Sequence, residues 1–472
     1  MVPLAALLVL ALASAQPAAA PRAKAPAAEE RTARHFESSK DDPVALRAFL
    51  REMPKGGDLH THLSGAVYAE SVIRWAAEDS LCVDTKAAVI LREREPCEAA
   101  KGHRAAKEAH GDPAFHTLLV DALSTRNYHA ARKAGAYQFF DAWDHMGPVP
   151  SRRGGDMLAE VARRAAAQNI LYLETMGTWD LHIAAAAAAK VEWTDDLGAL
   201  HERLLQAGIR DAPKTAELDA DEARMRDLLR CGTKDAEPGC GVTVRYLAQT
   251  LRALTPLRVF AMLVWSFEQG AADPRFAGIN MVQPEYWHVP VRDYDLHMAM
   301  VEYLHGRYPQ VSIALHAGEL ALGLVPPEVL GTHVGAAVAR GHARRIGHGT
   351  DVAYHPRPHE LMAEMKRKDV AVEVSLSSSD IILGVRGEKH PLRSYLKAGV
   401  PVLIATDDEG VARSDLTNEY LRAAVEHGLG YRQLKRISRD SLRYGFLEAG
   451  QKRVLLDRLD RAFAEFESKD GR

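Results

Sequence analysis

Short apolar runs alternate with longer segments of helical periodicity between about residues 50 and 450. This alternation is typical of repeated βα units. It predicts strands at residues 57–62, 169–175, 241–247, 276–282, 311–317, 344–348, 371–376 and 401–406. The apolar segment 258–267 fits a strand or a buried helix, but Pro256 favours a helix start and a connection is needed there, so we predict a helix. Eight strands in this arrangement predict a (β/α)8 barrel.

Each predicted strand is apolar in its body and is followed by side chains with acid–base, polar or metal-binding chemistry. They are His60 and His62, Glu174, Gln249, Glu285, His316 and Glu319, His348, Ser377, Ser378 and Ser379, and Asp407 and Asp408. The active sites of barrel enzymes lie at the carboxyl ends of the strands. We therefore expect these side chains to surround one pocket.

Length and composition fit one enlarged barrel. A chain of 472 residues would allow two or three average domains, but α/β barrels often exceed about 250 residues. The excess falls in the connections after the first and second strands, near residues 80–110 and 210–240, so we expect a single hydrolase barrel over residues 41–472. The 47% of hydrophobic residues exclude a disordered chain. A net charge of −3 offers no basic excess for binding nucleic acid, which is not an expected partner.

The first residues resemble an export signal. Residues 2–15 form an apolar run that is too short to span a bilayer and ends in Ala13-Ser14-Ala15, which suits signal peptidase. Residues 1–15 are predicted to be a signal peptide, the alternative being a frayed helix rich in Ala and Leu. Residues 16–40 are rich in Ala, Pro and charge and predict a flexible linker. We expect a periplasmic or secreted protein with no membrane span after cleavage.

The four cysteines also favour an oxidising compartment. Cys82 and Cys97 lie within one polar, turn-rich stretch, and Cys231 and Cys240 lie within another. Four cysteines allow three pairings, of which the two local ones are the simplest. Neither pair has the tighter spacing of a zinc knuckle. We predict two loop-closing disulfides, Cys82–Cys97 and Cys231–Cys240.

The segment His60-Thr61-His62 is the first candidate for metal binding. Residues i and i+2 of a strand share a face, so both imidazoles would point into the barrel mouth. This is the arrangement that two ligands of one metal require. A pair of hydrogen-bonded core histidines would show the same sequence, and the segment by itself does not decide between the two.

Three further segments add to this candidate site. His316 would be a third nitrogen ligand, with Glu319 past the turn that follows it, although Glu319 alone could simply start a helix. His348 lies between two glycines, which permit close approach of a ligand. Asp407 and Asp408 close the last strand, where an isolated acidic pair would more often cap a helix. Taken together, three histidines and an aspartate at the ends of strands one, five and eight predict one mononuclear metal site.

These segments resemble the adenosine deaminase family of amidohydrolase barrels. The resemblance covers roughly residues 45 to 450, and the Met-Pro-Lys-Gly opening and His390-Pro391-Leu392 are similar to the secreted, growth-factor-related branch. Five motifs that carry the family resemblance occur in order: Met53-Pro54-Lys55-Gly56-Gly57, Leu59-His60-Thr61-His62, His316-Ala317-Gly318-Glu319, Gly347-His348-Gly349 and Thr406-Asp407-Asp408.

The resemblance implies a role for each matching residue. His60, His62, His316 and Asp407 would hold one Zn2+ per chain. Glu319 would protonate a ring nitrogen, His348 would orient and deprotonate the attacking water, and Asp408 would hydrogen-bond the purine ring. Zinc lowers the pKa of bound water toward about 7, and Glu319 must start protonated, which a desolvated pocket favours.

Three positions depart from the family pattern. Ser64 stands where relatives commonly have an Asp near the ribose 5′-hydroxyl, and Gln283 stands where many have a Gly that meets the purine. Glu409 replaces a Pro after the Asp pair. Ser64 and Gln283 therefore join Asp408 as candidate substrate-binding residues, and their identity leaves the exact nucleoside open.

Aromatic side chains complete the set of candidates. Phe139, Phe140 and Trp143 have helical spacing and are expected to belong to the core. Four residues after strands two and four are candidates for the pocket mouth, with simple packing as the alternative: Trp179, Tyr286, Trp287 and His288.

The resulting hypothesis is a hydrolase that converts adenosine or a close purine nucleoside, a small-molecule partner, to inosine and ammonia. One alternative is the same chemistry on another amino-heterocycle. Another is a non-catalytic nucleoside-binding protein on the same fold, which would not need an acid and a base. The sequence leaves a homodimer open.

Overall fold

The computed structural model describes residues 27–130 and 134–469. These residues form eleven strands. The strands are β1 Gly56–His62, β2 Leu81–Asp84, β3 Val89–Arg94, β4 His103–Ala105, β5 Ile170–Gly177, β6 Thr243–Leu251, β7 Phe276–Val282, β8 Ser312–Ala317, β9 Arg345–His348, β10 Ala371–Val374 and β11 Val402–Ile404.

The described residues also form twenty-one α-helices. The first ten are α1 Ala27–Ser39, α2 Pro43–Glu52, α3 Leu63–Ala66, α4 Ala69–Glu78, α5 Pro113–Ala122, α6 Gly135–Met146, α7 Gly154–Ala167, α8 Leu181–Ala188, α9 Leu197–Leu204 and α10 Ala216–Leu228. The others are α11 Pro256–Ala272, α12 His288–Arg292, α13 Tyr294–Arg307, α14 His333–Ala339, α15 Pro358–Arg367, α16 Leu376–Leu383, α17 Leu392–Ala398, α18 Glu409–Ala412, α19 Leu416–His427, α20 Tyr431–Arg443 and α21 Ala449–Lys469.

Eight parallel strands form the barrel in the order β1-β5-β6-β7-β8-β9-β10-β11. The ring closes where Thr61 of β1 bridges to Asp407, which follows β11: the His62 N–H donates to the Asp407 carbonyl at 3.1 Å and the Asp407 N–H to the His60 carbonyl at 2.8 Å. The eight predicted strands are these eight, and the predicted (β/α)8 barrel is confirmed. Closure matters for the site because it brings the first and last strands into contact.

The segment predicted as a helix at 258–267 is the middle of α11. The helix begins with Pro256 in its first turn, where the missing N–H costs nothing, and ten of its residues are buried. Burial on several sides explains why its periodicity looked like that of a strand, since a helix covered all round shows no polar face.

The two insertions lie in the connections after β1 and β5, as predicted. After β1, strands β2, β3 and β4 form a small antiparallel sheet in the order β3-β2-β4, and the disulfide Cys82–Cys97 joins β2 to the residues after β3. After β5, Cys231–Cys240 closes the turn between α10 and β6, which packs on α7. Both local pairings are present, and no cysteine is free.

The flexible linker expected over residues 16–40 is wrong from residue 27 onward. Residues 27–39 form helix α1, and its Phe36 is fully buried, 5.2 Å from the ring of Phe49 and 6.3 Å from that of Tyr431. The Ala-rich composition that suggested a linker is also a good helix former, and one buried aromatic anchors the helix on the barrel. The predicted signal peptide, 1–15, and the rest of the linker, 16–26, lie outside the described residues.

Within residues 27–130 and 134–469, no helix is both long enough and apolar enough to cross a membrane.

Candidate active site

Three imidazoles meet at the carboxyl end of the barrel. His60 and His62 lie two residues apart on β1, and His316 lies near the end of β8. The Nε2 atom of His316 is 3.1 Å from Nε2 of His60 and 3.2 Å from Nε2 of His62. The shared face predicted for His60 and His62 thus points at a strand on the far side of the ring.

Asp407 supplies the fourth donor. It follows β11 with a left-handed backbone (φ 60°), and its Oδ1 lies 3.5 Å from Nε2 of His60 and 3.4 Å from Nε2 of His62. The donor atoms of His60, His62, His316 and Asp407 all lie within 4.8 Å of one another, and three of the four residues are buried. Non-glycine residues adopt this backbone rarely, and they do so mainly where function requires it.

The far nitrogen of each imidazole is held by an oxygen acceptor. Nδ1 of His60 is 2.7 Å from Oε2 of Glu373, and Nδ1 of His62 is 3.2 Å from Oε1 of Gln249. Nδ1 of His316 is 2.9 Å from Oδ1 of Asn280, an oxygen that also accepts from the His316 backbone N–H. An Nδ1 that donates to such an acceptor leaves Nε2 with a lone pair for a metal ion at the centre of the cluster.

This geometry fits a bound cation. The lone pair of His316 Nε2 would lie 3.1 and 3.2 Å from those of His60 and His62, with a carboxylate beside them, and such groups repel one another unless a positive ion lies between them. Three imidazole nitrogens and one carboxylate oxygen are a donor set that suits zinc and related divalent metals. The four residues predicted as ligands thus lie together, and hydrogen bonds to Nδ1 fix the orientation of the three imidazoles.

Gly347 gives His60 the space it occupies. A Cβ at this position would lie 2.6 Å from Cε1 of His60. The Gly-His-Gly sequence was expected to allow a ligand to approach, but its first glycine instead admits the His60 ring. A Gly347→Ala change would displace the imidazole from the cluster.

Glu319 and His348 lie beside the four donors. The Nε2 of His348 is 3.7 Å from Oε1 of Glu319, and both side chains are buried. His348 has a left-handed backbone (φ 69°), and neither of its ring nitrogens has a hydrogen-bond partner within the described chain. Burial lowers the pKa of His348 to about 4, so the imidazole is neutral at pH 7.

The carboxyl group of Glu319 is held protonated. Burial raises its pKa well above the usual value, and the negative charges of Asp407 and Glu285 raise it further. Glu285 follows β7 and accepts the backbone N–H groups of Gly318 at 3.0 Å and Glu319 at 2.8 Å, so it also fixes the turn that carries Glu319. Burial would raise the pKa of Glu285 itself, but His333 and Arg252 lower it to about 2, so its charge persists.

Asp408 is a second buried acid. Burial and the adjacent Asp407 carboxylate raise its pKa well above the usual value. Burial would also raise the pKa of Asp407, but the neighbouring rings of His60 and His62 favour its charged form and bring that pKa well below the usual value. The Oδ1 of Asp408 has no partner among the described residues. Gly65 makes room for it, since a Cβ there would lie 1.7 Å from that oxygen. The two neighbouring aspartates therefore differ in protonation state.

A cavity of about 390 Å³ opens above this cluster. Its volume lies in the range of small-molecule sites. Its floor includes His62, His316, Glu319, His348, Asp407 and Asp408. The acid, the neutral imidazole and three of the four metal-ligand candidates therefore face one space.

The amino-acid sequence was compared with models of known protein families. The family model described as adenosine deaminase matches residues 121–462. The chain belongs to the adenosine deaminase family.

Individual relatives match over shorter stretches. An aminodeoxyfutalosine deaminase of Streptomyces coelicolor is 36% identical over 119 residues, 25% of this chain and 30% of that one. An adenosine deaminase of Enterococcus faecalis is 31% identical over 154 residues, 32% of this chain and 42% of that one. The matched stretches thus span less than half the length of these curated relatives.

Solved structures share the fold at low identity. The N6-methyl-AMP deaminase of Arabidopsis thaliana aligns with a TM-score of 0.56 and 18% identity, covering 89% of this chain and 99% of that one. An amidohydrolase from Burkhoderia ambifaria, solved with bound Zn, aligns with a TM-score of 0.55 and 17% identity, covering 96% and 98%.

Two of the positions that depart from the adenosine deaminase pattern line the cavity. The Ser64 hydroxyl accepts a hydrogen bond from Nε1 of Trp143 at 3.1 Å. Gln283 keeps a left-handed backbone (φ 85°) of the kind glycine adopts easily, and its Oε1 accepts the Ala253 N–H at 2.8 Å. Glu409 does not line the cavity but pairs with Arg164 at 2.7 Å.

The aromatic residues were only partly anticipated. Phe139, Phe140 and Trp143 of α6 were expected in the core. Phe139 is buried there and Phe140 and Trp143 pack against the core, but all three also line the cavity, which was not expected. Helical spacing shows which residues share a face, not whether that face meets core or ligand. Trp287 also lines the cavity, whereas Trp179 is buried against Tyr246 with ring centroids 4.9 Å apart.

The sequence interpretation missed the residues behind the ligands. Glu373 of β10, Asn280 of β7 and Arg345 of β9 are fully buried, and the guanidinium of Arg345 bridges Glu373 and Glu174. A charged residue between valines, as in β10, is a sign that could have found Glu373, because an unpaired charge is rarely buried.

Proposed function

We propose that this protein is a zinc-dependent hydrolase that deaminates adenosine or a close purine nucleoside, giving inosine and ammonia. The observation that carries the proposal is a four-donor cluster beside a protonated Glu319 and a neutral His348 on one cavity floor. A protein that only bound nucleosides would not need this pairing of acid and base.

His60, His62, His316 and Asp407 would hold one Zn2+ per chain. Bound zinc supplies Lewis acidity that makes a water molecule a nucleophile at neutral pH. The acceptors Glu373, Gln249 and Asn280 keep the imidazoles turned toward the ion and increase their basicity.

Glu319 would act as the general acid. Attack at the amino-bearing carbon of the purine places negative charge on a ring nitrogen, and a proton from Glu319 neutralises it. The pKa raised by burial, Asp407 and Glu285 keeps that proton available at pH 7.

His348 would orient the attacking water and accept its proton. Its ring is neutral at pH 7 and its nitrogens have no protein partner among the described residues, so a lone pair is free for the water. Glycine on either side and the left-handed backbone hold the ring over the floor.

Asp408 would hold the purine ring. A protonated carboxyl group donates a hydrogen bond, and purine ring nitrogens are acceptors. The aromatic face of α6 offers Phe139, Phe140 and Trp143 for contact with a flat ring.

The remainder of the cavity favours an uncharged nucleoside over its 5′-phosphate. Asp141 and Asp144 of α6 line the cavity, and none of its described lining residues is Lys or Arg. A phosphate would meet carboxylates without a compensating cation. The N6-methyl-AMP deaminase of Arabidopsis thaliana, which shares the fold, is named for a nucleotide, so this distinction separates the proposed substrate from that one.

Another amino-heterocycle remains the second candidate. Ser64 and Gln283 both line the cavity at the positions expected to contact substrate, and both depart from the adenosine deaminase pattern. The aminodeoxyfutalosine deaminase among the relatives is a precedent for a different substrate within related sequences.

We further propose that the barrel from residue 41 onward is one domain exported to the periplasm or outside the cell after loss of residues 1–15. Two disulfides in the insertions support an oxidising compartment. Mass spectrometry of the mature protein tests this proposal, and an N-terminus at Met1 in the exported fraction would contradict it.

The test of function is an ultraviolet assay of zinc-loaded protein against adenosine, 2′-deoxyadenosine, adenine, AMP and aminodeoxyfutalosine. We expect the fastest turnover with adenosine or deoxyadenosine and little with AMP. Preference for the last substrate would support the second candidate. Binding of nucleosides without ammonia release, at full zinc occupancy, would show a non-catalytic protein and overturn the proposal.

A further inference from the structure

A second, larger cavity lies at the opposite end of the barrel. It has a volume of about 780 Å³ and is bordered by the amino ends of β7 and β8, by Arg344 just before β9, and by the segment between α20 and α21. It contains none of the residues assigned to catalysis. Positively charged side chains dominate its lining: Arg245, Arg275, Arg344, Arg443 and Lys452.

Two of these cations have no carboxylate partner. The guanidinium of Arg344 makes no hydrogen bond or ion pair with any described residue, although it borders the cavity. Arg245 donates to the Val244 carbonyl at 2.8 Å and to Oε1 of Gln451 at 3.5 Å, both uncharged acceptors. Neither guanidinium is therefore in contact with a carboxylate of the described chain, although the charge of Arg245 helps to lower the pKa of Asp273.

Lys452 adds a third uncompensated charge. Its ammonium group is about half buried and donates to the Arg443 carbonyl at 2.7 Å. Burial lowers its pKa, and the positive charges of Arg344, Arg345 and Arg443 lower it further, whereas Glu174 opposes them. The protein thus holds like charges close together, which is unfavourable unless an anion joins them.

The carboxylates near this cavity either pair with other arginines or are too few to neutralise Arg245, Arg344 and Lys452. Arg275 is matched by Asp219, Glu222 and Asp273, and Arg443 is 3.7 Å from Asp369 in an exposed pair. Glu448 is the remaining carboxylate on the lining and forms no ion pair with a described residue. One carboxylate against Arg245, Arg344 and Lys452 leaves an excess of positive charge.

We propose that this cavity binds an oxyanion of the phosphate type, either inorganic phosphate or the phosphate group of a small ester. Two guanidinium groups present planar pairs of donors that match phosphate oxygens, and the ammonium group adds a point charge. Three cations without a carboxylate contact at one cavity of about 780 Å³ suit a small anion better than an extended nucleic acid backbone. The catalytic cavity, which is lined by carboxylates, would not compete for such a ligand.

The experiment is a titration of the full zinc-loaded protein with sodium phosphate, followed by calorimetry, with sodium chloride at equal ionic strength as the reference. We expect saturable binding. The paired variant Arg344→Gln with Lys452→Gln should weaken it at least about tenfold, since it removes two charged hydrogen-bond donors to the anion. Glycerol phosphate in a parallel titration distinguishes an ester ligand from free phosphate.

Arg461→Gln is the control. Arg461 is an exposed arginine on α21, the helix that carries Lys452, and it does not border the cavity. It should bind phosphate like the unmodified protein. If the paired variant fails to fold, the single change Arg344→Gln removes an exposed, unpaired guanidinium and should still weaken binding severalfold. Absence of saturable binding, or equal loss in Arg461→Gln, would overturn the proposal.

Discussion

The two ends of the barrel have opposite chemistry. At the carboxyl end, the four-donor cluster and two protonated acids lie at the floor of a cavity whose described lining has no Lys or Arg. At the amino end, the charged residues that line a larger cavity are mostly Arg and Lys, with two carboxylates among them. We therefore expect the carboxyl end to bind a metal cation and an uncharged purine, and the amino end to bind an anion.

Between the ends, the charges are matched. Arg345 is fully buried and bridges Glu174 and Glu373, and Glu373 holds Nδ1 of His60. The carbonyl of Tyr444 accepts from the same guanidinium at 3.0 Å. The buried charges of Arg345, Glu174 and Glu373 are therefore satisfied by protein partners, whereas Arg344 borders a cavity without a carboxylate contact. The comparison teaches that unmatched charge marks the places where ligands are expected.

The largest effect should come from removing the acid at the carboxyl end. Glu319→Gln keeps the shape of the side chain but cannot donate a proton in the same way, so kcat should fall by about 10²–10⁴. Zinc content measured by atomic absorption should not change, because Glu319 is not one of the four donors. Unchanged turnover would show that the acid lies elsewhere.

Removing the carboxylate of Glu373, which contacts both His60 and Arg345, should weaken metal binding. Glu373→Gln removes the charged acceptor behind His60 and leaves Arg345 short of one partner, so zinc affinity should fall about 10- to 100-fold. Competition with a fluorescent chelator measures this affinity. Glu388→Gln, on an exposed carboxylate remote from the ligands, serves as the control. Equal affinity in both variants would contradict the role of Glu373.

The pH profile should reflect the protonation of Glu319. Its pKa is raised by burial, Asp407 and Glu285, so the active, protonated form persists through neutral pH and is lost as pH rises through that pKa. On the alkaline side kcat/KM should then fall about tenfold per pH unit. A profile of kcat/KM for adenosine from pH 6 to 10 measures it, and a rise toward alkaline pH would contradict the assignment.

The smallest effect concerns the acidic lining of the catalytic cavity. Asp141→Asn with Asp144→Asn removes repulsion of a phosphate, so the ratio of kcat/KM for AMP to that for adenosine should rise about two- to fivefold per carboxylate at low salt. The increase should shrink as salt is added. Asp457→Asn, an exposed aspartate on α21, should leave the ratio unchanged. An equal rise in that control would show a general charge effect.

The sequence predicted the barrel and the four donors because both depend on local patterns. Strand periodicity, and a His or Asp where each strand ends, are visible along the chain. The partners behind them were not visible, since Glu373 meets His60 across 313 positions and Asn280 meets His316 across 36. The predicted linker failed at α1 because its stability comes from packing of Phe36 on the barrel, which composition does not reveal.

The cavity walls were predicted least well. Phe139, Phe140 and Trp143 share a helical face in either a core or a pocket, and only the fold places that face above the donors. The charge excess at the amino end was equally hidden, because Arg245, Arg344 and Lys452 come from three distant segments.

The central claim is that the donors at the carboxyl end form the metal-dependent deamination centre. Its most direct test is titration of metal-free protein with zinc while ammonia release from adenosine is followed. Activity should rise linearly and stop at one zinc per chain, and His60→Ala with His62→Ala should abolish both tight zinc binding and activity. Ammonia release that does not depend on zinc, or that survives in the paired variant, would contradict the account.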